Sequence, residues 1–171
     1  MIHLITGGSG SGKSAYAEEQ ILRLRGDARI YIATMYPYDE ESRQRVARHR
    51  RMRAEKNFTT IECYRDLKAV SVPEEADVLL ECMSNLTANE MFWPDGAGKN
   101  TAEQILEGVR HLAGNCRNLI VVSNEIFSDG MDYGEETRAY QKTLGQINCC
   151  LAELADCVTE VVYGIPLEVK R

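Results

Sequence analysis

The first residues of this chain that could do chemistry form a glycine-rich run near its amino terminus. The run fits the pattern G-x-x-x-x-G-K-S and consists of Gly7, Gly8, Ser9, Gly10, Ser11, Gly12, Lys13 and Ser14. Glycines let consecutive backbone N–H groups point at one spot, which then attracts an anion. The lysine adds a positive charge for the β- and γ-phosphates, and the serine hydroxyl can hold Mg²⁺. The spacing therefore predicts a nucleotide site with Lys13 in its catalytic centre and Ser14 as a metal ligand.

The segments on both sides of this loop agree with such a site. Residues 2–6 form a short apolar run that is typical of a buried strand. Residues 14–22 contain good helix formers, and Gly26 follows as a stop signal. A strand, a glycine loop and a helix in this order bring the free N–H groups of the helix start to the phosphates. The alternative is a glycine-rich turn that matches the pattern by chance.

Composition narrows the class of protein. The chain has 171 residues, 44% of them hydrophobic and 27% charged, which is typical of one soluble globular domain over residues 1–171. The net charge of −6 argues against binding nucleic acid through overall charge. No apolar stretch approaches the ~20 residues that cross a bilayer, so we expect no membrane span and a cytoplasmic protein. The six cysteines show no zinc spacing, and we expect reduced, mostly buried thiols.

Apolar strand-like runs alternate with helical patterns along the chain. Strands are predicted at 30–33, 59–62, 78–82, 119–125, 158–163 and 167–170, and helices at 39–56, 101–112 and 140–154. The helix at 101–112 is expected to begin with a capping box formed by Thr101 and Gln104. The last two strands could form a hairpin around residues 164–166. This alternation predicts an α/β fold with a mostly parallel sheet that helices cover on both faces.

Polar residues fall at the predicted ends of these strands. In a parallel sheet the ligand sits at the carboxyl ends of the strands, so these residues should surround one site. They are Thr6, Thr34, Glu62, Glu81, Asn124 and Glu125. Glu81 is a candidate for holding Mg²⁺ from the Walker B position, and its alternative is an ordinary strand-end acid. Glu62 could bind a nucleotide hydroxyl or a polar base edge. Asn124 and Glu125 could line the site or serve as buried hydrogen-bonding residues.

Basic side chains crowd the segment 43–56 of this acidic protein, with His49 among them. They are Arg43, Arg45, Arg48, Arg50, Arg51, Arg53 and Lys56. Three interpretations stay open: a solvated helix face, a nucleic-acid patch, and a triphosphate clamp around a nucleophile. On a helix, Arg45, His49 and Arg53 share one face. Positive neighbours favour the neutral, nucleophilic form of a histidine, which attack on an α-phosphorus requires. The other histidines, His3 in a strand and His111 in a helix, are expected to be structural.

Taken in order, these residues resemble one family, the bifunctional adenosylcobinamide kinase / adenosylcobinamide-phosphate guanylyltransferases of cobalamin assembly. The ordered set covers nearly the whole chain and is more specific than the loop alone. It consists of the run at 5–14, Tyr31-Ile32-Ala33-Thr34, Asp39, Glu41, Arg45, His49, Arg50, Arg53, Thr60-Ile61-Glu62, Leu80-Glu81-Cys82, Asn85-Leu86, Asn89, Val122-Ser123-Asn124-Glu125, Arg138, Gly145, Asn148 and Gly164-Ile165-Pro166-Leu167. Three positions depart from the family pattern: Phe58 replaces a usual tryptophan, residues 127–134 replace a G-x-G-I-V-P loop, and Cys149 replaces a common glutamine.

The resemblance implies a function and a set of roles. In that family a histidine takes GMP from GTP and hands it to adenosylcobinamide phosphate, and the same chain phosphorylates adenosylcobinamide. By resemblance His49 carries the GMP, and Arg50 and Arg53 bind the nucleotide and stabilise its developing charge. The loop, Thr34, Glu62 and Glu81 complete the nucleotide site, with Mg²⁺ as cofactor and GTP and ATP as substrates. The resemblance also implies a RecA-like P-loop fold and a homotrimer.

Two other functions use some of the same features. A small-molecule or nucleoside monophosphate kinase would need the phosphate loop but no covalent histidine. A RecA-like ATPase that acts on DNA through the arginines at 43–56 would show a steep salt dependence of binding. The acidic charge of the chain speaks against this third function, so we expect no nucleic-acid partner.

Overall fold

The computed structural model describes residues 1–24, 26, 28–40, 43–44, 46–47, 50–51, 56–128 and 133–171. Within these residues one seven-stranded sheet is formed by β1 (Ile2–Thr6), β2 (Ala28–Ala33), β3 (Phe58–Glu62), β4 (Ala76–Glu81), β5 (Asn118–Val122), β6 (Cys157–Val162) and β7 (Ile165–Lys170). The α-helices whose bounds the structure describes are α1 (Lys13–Arg23), α2 (Met83–Phe92), α3 (Thr101–Asn115) and α4 (Glu135–Leu154). Of the helix predicted over 39–56, residues 40, 43–44, 46–47 and 50–51 are helical, and the remaining residues from 41 to 55 lie outside the described ones. The strand order is β3-β2-β4-β5-β1-β6-β7, and every neighbouring pair is parallel except the antiparallel β6–β7 hairpin.

The central strands are buried on both faces, which explains their continuous apolar sequence. Along β5, Leu119 and Val121 pack into the core beneath α2, α3 and α4, while Ile120 and Val122 pack into the core beneath α1. Helices α3 and α4 contribute apolar stripes at helical spacing, including Leu144, Ile147 and Leu151 of α4. The predicted mostly parallel sheet with helices on both faces is confirmed.

Helix α2 was not predicted from the sequence, because residues 83–92 carry no clear apolar stripe. Its buried residues include the polar Ser84, Thr87, Asn89 and Glu90 beside Met83 and Leu86. Polar side chains that accept or donate inside the protein replace the apolar periodicity by which a helix is usually recognised.

The predicted capping box at the start of α3 is wrong. Asn100 occupies the cap position without a side-chain bond to the helix. The Thr101 hydroxyl donates to the Gly98 carbonyl at 2.7 Å, and the Gln104 amide donates to Asp66 at 3.1 Å. Both side chains of the expected box thus bind the loops that precede α3.

Strand boundaries differ from the expectation at two places. The strand expected over 119–125 ends at Val122, so Asn124 and Glu125 belong to the loop that follows β5. The turn of the predicted hairpin lies at Tyr163 and Gly164, which have φ angles of 52° and 78°. Two successive residues with positive φ form the type of tight turn that matches the twist of a hairpin.

The cysteines agree in part with the expectation of reduced, mostly buried thiols. All six are described, and none forms a disulfide. Cys63 is buried and Cys149 is exposed, while the other four are half-buried, so the expectation of mostly buried thiols is wrong. In the described part of the chain no helix is long and apolar enough to cross a membrane.

Candidate nucleotide-binding site

The sheet brings the predicted strand-end residues to one edge. Strand order places Glu62, Thr34, Glu81, Asn124 and Thr6 in succession along the carboxyl ends of β3, β2, β4, β5 and β1. The backbone N–H of Thr34 donates to the Glu81 carbonyl at 3.1 Å. The Thr34 hydroxyl donates to the Cys82 carbonyl and accepts from the Cys82 N–H, each at 2.8 Å. This threonine therefore fixes the chain where β4 leaves the sheet.

The glycine loop connects β1 to α1 at the centre of this edge. Gly10 and Gly12 have φ angles of 71° and 92°, which a residue with a side chain rarely adopts. A Cβ on Gly7 would lie 2.5 Å from the Val161 carbonyl oxygen, so the loop passes too close to β6 for any side chain there. The Ser11 hydroxyl is buried without a hydrogen-bond partner among the described residues, and a phosphate oxygen could supply that partner.

Lys13 is the first residue of α1 and is buried beneath the loop. Its ammonium donates to the Gly8 carbonyl at 3.0 Å. Burial lowers the pKa of Lys13, whereas the neighbouring Cys82 and Glu81 raise it. An ammonium has three N–H groups, so this one can still donate to a phosphate, whose charge would favour the protonated form.

Glu81 lies opposite Ser14 and is held by two hydroxyl groups. One carboxylate oxygen accepts from the Ser14 hydroxyl, and the other accepts from the Tyr31 hydroxyl at 2.9 Å. A hydroxyl oxygen beside a carboxylate is the kind of oxygen ligand that Mg²⁺ prefers, together with water and substrate phosphates. The described residues hold no group of three or more His, Cys, Asp or Glu side chains that could bind a metal alone. The residues present therefore fit a Mg²⁺ ion that a nucleotide brings with it.

Glu62 meets one of the predicted arginines at the edge strand β3. Its carboxylate forms an ion pair with Arg50 and accepts from the Tyr64 hydroxyl at 2.8 Å. The structure thus brings Arg50 and Glu62 together at the carboxyl end of β3. His49 and Arg53 lie outside the described residues, as does Arg45.

An aromatic cluster beside Glu62 was not predicted from the sequence. It consists of Tyr36, Tyr38, Tyr64 and Trp93, and the rings of Tyr38, Tyr64 and Trp93 have centroids 4.9–5.2 Å from that of Tyr36. The Trp93 indole N–H donates to the Tyr38 hydroxyl at 2.6 Å. Glu62, Tyr64 and Trp93 also line a cavity of about 860 Å³. In the sequence, Tyr36 and Tyr38 after the end of β2 are only a weak signal of such a cluster. Trp93 comes from a distant segment, so its contact with them has no sequence signal.

The positions that depart from the family pattern have different surroundings. Phe58 packs edge-to-face on Tyr31 with centroids 6.2 Å apart, and it is buried at the amino end of β3. It therefore belongs to the core and not to the carboxyl edge. Of the segment 127–134, residues 129–132 lie outside the described residues, whereas Phe127 is exposed and packs over Gly145 of α4. Cys149 of α4 is exposed.

Polar side chains after β4 and β5 form one connected network. The Asn124 amide donates to the Ser84 hydroxyl at 2.5 Å, and the Asn148 amide donates to the Asn124 carbonyl at 3.3 Å. The Ser123 hydroxyl donates to Asn148 at 2.6 Å. Ser84 lies 3.0 Å from the Cys82 thiol, where it joins the network to the Glu81 strand end. The structure therefore gives Asn124 a hydrogen-bonding role at the edge of the site.

Three other predicted residues have local structural partners. Glu125 accepts from the Phe127 N–H at 2.8 Å and from the Ser128 hydroxyl at 2.9 Å, so it stabilises the turn after β5. His3 is buried, its Nε2 lies 2.9 Å from the Thr159 hydroxyl, and burial lowers its pKa. The structural role expected for His3 is confirmed. His111 is exposed on α3, and its carbonyl accepts from Asn115.

Comparison with known proteins agrees with this geometry. The chain is 32% identical over 189 residues to the bifunctional adenosylcobalamin biosynthesis protein CobU of Salmonella typhimurium. The alignment covers 99% of this chain and all of the relative. It is 33% identical over 175 residues to the bifunctional adenosylcobalamin biosynthesis protein CobP of Pseudomonas aeruginosa, over 99% of this chain and 98% of the relative.

Similarity to a solved structure bears on the fold alone. The flagellar accessory protein FlaH of Methanocaldococcus jannaschii matches with a TM-score of 0.53 at 12% identity, over 99% of this chain and 77% of that chain. The expected α/β P-loop fold of the RecA type is thereby confirmed. A family model described as cobinamide kinase / cobinamide phosphate guanyltransferase matches residues 3–169. This chain therefore belongs to the cobinamide kinase / cobinamide phosphate guanyltransferase family.

Proposed function

We propose that this protein phosphorylates adenosylcobinamide and then transfers GMP from GTP to adenosylcobinamide phosphate through a histidine–GMP intermediate. The description of its family names a kinase activity and a guanyltransferase activity, and its relatives are called bifunctional. The observation that carries the proposal is the phosphate loop assembled with Lys13, Ser14 and Glu81 at the carboxyl edge of the sheet.

The nucleotide would bind with its phosphates in the loop from Gly7 to Ser14. Loop N–H groups and Lys13 would donate to the β- and γ-phosphate oxygens. Ser14 and Glu81 would hold Mg²⁺, and the Tyr31 hydroxyl fixes the orientation of the Glu81 carboxylate. The bound ion supplies neutralisation of phosphate charge, which is a large part of phosphoryl-transfer catalysis.

The kinase step transfers the γ-phosphoryl group of ATP or GTP. The free hydroxyl of adenosylcobinamide forms a bond to the γ-phosphorus, the bond from that phosphorus to the bridging oxygen breaks, and the nucleoside diphosphate leaves. The hydroxyl proton passes to solvent or to a neighbouring base. Lys13 stabilises the negative charge that accumulates on the phosphate oxygens during this step.

The guanylyl step uses His49 as the nucleophile, a role that rests on the family resemblance. A neutral imidazole nitrogen bonds to the α-phosphorus of GTP, and pyrophosphate leaves as that P–O bond breaks. A phosphate oxygen of adenosylcobinamide phosphate then attacks the same phosphorus, and the P–N bond breaks to free the histidine. Arg50 and Arg53 would stabilise the charge that develops. The ion pair with Glu62 keeps Arg50 at the edge of the site, and Glu62 would bind a polar edge of the nucleotide.

Labelling with GTP that carries ³²P at the α-position tests this function. The wild-type protein should acquire a label that is stable to base and labile to acid, even without a corrinoid. His49→Ala should abolish the label. His111→Ala is the matched control, because His111 is exposed on α3, and it should be labelled normally. If the protein has kinase activity but never acquires a label, the result would instead support a small-molecule kinase without nucleotidyl transfer.

A homotrimer and a cytoplasmic location belong to the same proposal. The exposed apolar residues of β7 support subunit contacts, since Ile165, Leu167 and Val169 are 61%, 47% and 65% exposed on an edge strand. An apolar edge strand is a ready surface for association with another chain. Consumption of ATP and GTP supports a cytoplasmic location.

A further inference from the structure

An apolar groove lies between α2 and α4, close to the carboxyl edge of the sheet. It encloses about 430 Å³ and is lined by Ala88, Phe92, Glu136, Thr137 and Tyr140. Phe92 is 52% exposed, although it is a large aromatic residue. Its ring lies 6.5 Å from that of Tyr140 across the groove, centroid to centroid. The groove therefore presents two aromatic rings to a ligand, with Glu136 and Thr137 as a polar rim.

This groove is connected to the phosphate-transfer residues through α2. Ser84, Ala88 and Phe92 are spaced four residues apart and lie along one face of that helix. The Tyr140 hydroxyl donates to the Ser84 carbonyl at 3.1 Å, and Ser84 contacts Cys82 next to Glu81. From Ser84 to Phe92 the helix rises about 12 Å. A ligand that fills the groove could thus place an extended arm at the phosphates.

The groove and the Glu62 cavity lie on different faces of α2, since Ala88 and Phe92 line the groove whereas Glu90 and the following Trp93 line the Glu62 cavity. Glu62 ends β3, two strands from β4 on one side, whereas Asn124 follows β5 on the other. Asn124 is bonded to Ser84 at the amino end of α2, where the helix leaves the Glu81 strand end. In phosphoryl transfer the attacking and leaving oxygens lie roughly in line, so the two substrates approach the phosphorus from opposite directions. With the nucleotide base toward Glu62, the groove is left for the acceptor.

We infer that the groove between α2 and α4 binds the ring periphery of the corrinoid acceptor, and that the Ser84–Asn124 pair receives its hydroxyl-bearing arm. This inference rests on the proposed function, because it needs a corrinoid as acceptor. The chemistry fits such a ligand: a corrinoid has an apolar methylated ring edge, which packs on Phe92 and Tyr140, and amide side arms, which meet the polar rim. The groove is too small for the whole macrocycle and holds only one edge of it.

Two substitutions in the groove test the inference. Ala88→Leu fills the groove, and Phe92→Ala removes one of its aromatic walls. We expect Ala88→Leu to raise the Kd for cobinamide about tenfold or more, and Phe92→Ala to raise it several-fold, since a misfit of a few methyl groups in an apolar pocket has effects of this size. The Kd is measured by equilibrium dialysis, with the corrinoid's own absorbance as the readout. In the kinase assay, KM for cobinamide should rise more than kcat falls.

The matched control is Ala139→Leu, the same change on an exposed face of α4 that lines a different cavity. It should leave the Kd for cobinamide at the wild-type value. An unchanged Kd in both groove variants overturns the inference. The inference is also overturned if Ala88→Leu changes the mass found by sedimentation but leaves the Kd unchanged. That result would identify the groove as a contact between subunits.

The same experiments separate this inference from the proposed function. Self-labelling from α-labelled GTP needs no corrinoid, so groove variants should still acquire label. A wild-type protein without label and without kinase activity contradicts the proposed function. Dialysis of cobinamide against wild type and the groove variants then still decides the inference: loss of affinity in the variants supports it, and no affinity in wild type overturns it.

Discussion

The carboxylate of Glu81 is held between two hydroxyl donors, Ser14 on α1 and Tyr31 on β2. Lys13 lies nearby, and Glu81 is one of the groups that raise its pKa against the effect of burial. A buried ammonium is costly unless negative charge compensates it. Glu81 provides part of that compensation before a nucleotide binds, and phosphates would add to it afterwards.

Glu81→Gln should lower both the kinase rate and the rate of self-labelling about 100-fold, because an uncharged amide is a poor ligand for Mg²⁺ and supports Lys13 less. The Mg²⁺ concentration at half-maximal rate should rise. Initial rates over a Mg²⁺ titration measure both effects. The control is Glu75→Gln, an exposed acid just before the opposite end of the same strand, which should behave as wild type. Wild-type rates and Mg²⁺ dependence in Glu81→Gln would remove Glu81 from the metal site.

At this scale the sequence predicts local chemistry better than long-range contacts. The loop, Lys13 and Ser14 follow from one continuous motif, and Glu81 from its place at the end of an apolar strand. The contact of Tyr31 with Glu81 could not be predicted, since it joins side chains from two strands whose neighbourhood the sequence does not specify. The aromatic cluster around Tyr36 was missed for the same reason.

Helix α2 holds the loops around the site through its buried polar residues. The Asn89 amide donates to the carbonyls of Thr34 at 3.0 Å and Tyr64 at 2.9 Å. The buried Glu90 carboxylate accepts from the N–H groups of Asp66 at 2.7 Å and Ala97 at 3.0 Å. These bonds satisfy backbone groups of the loops around the site.

Glu90→Ala should reduce the free energy of unfolding by about 2–4 kcal/mol, because it leaves two backbone donors in a buried place without an acceptor. Urea denaturation followed by circular dichroism measures the change. Glu19→Ala is the matched control, since Glu19 is exposed on α1 and pairs with the exposed Arg23. It should leave stability nearly unchanged. Equal effects of the two substitutions would show that the Glu90 bonds contribute little.

The contrast between α2 and α4 shows which elements a sequence reveals. In α4 the buried residues Leu144, Ile147 and Leu151 are apolar and recur at helical spacing, so the stripe predicts the helix. In α2 half of the inward positions serve hydrogen bonds to loops. That role depends on where the loops lie in the folded chain, so the periodicity of apolar residues in the sequence does not predict it.

At the scale of the whole molecule, the two edges of the sheet differ. Strand β3 is flanked by the Glu62 cavity, whereas β7 is exposed along its length and carries Ile165, Leu167 and Val169. A parallel sheet and a terminal hairpin could be predicted from alternating elements. The strand order could not, because the sequence pattern is the same for several orders of these strands.

Leu167→Lys should dissociate the proposed homotrimer, because it puts a charge into an apolar contact between subunits. Analytical ultracentrifugation should then report a mass near that of one chain, with the circular dichroism spectrum of wild type. The control is Leu22→Lys, the same substitution at another exposed leucine, on α1. A trimer that survives Leu167→Lys and Val169→Lys together would exclude β7 as the subunit contact.

The Gly164 N–H donates to the Ser11 carbonyl at 2.8 Å, so the turn that begins β7 is bonded to the loop that cradles the phosphates. If the proposed homotrimer forms through β7, this hydrogen bond joins the subunit contact to the anion site. Thermodynamic reciprocity then requires that a triphosphate strengthen association by the same factor by which association strengthens triphosphate binding. The apparent affinity for GTP would depend on protein concentration.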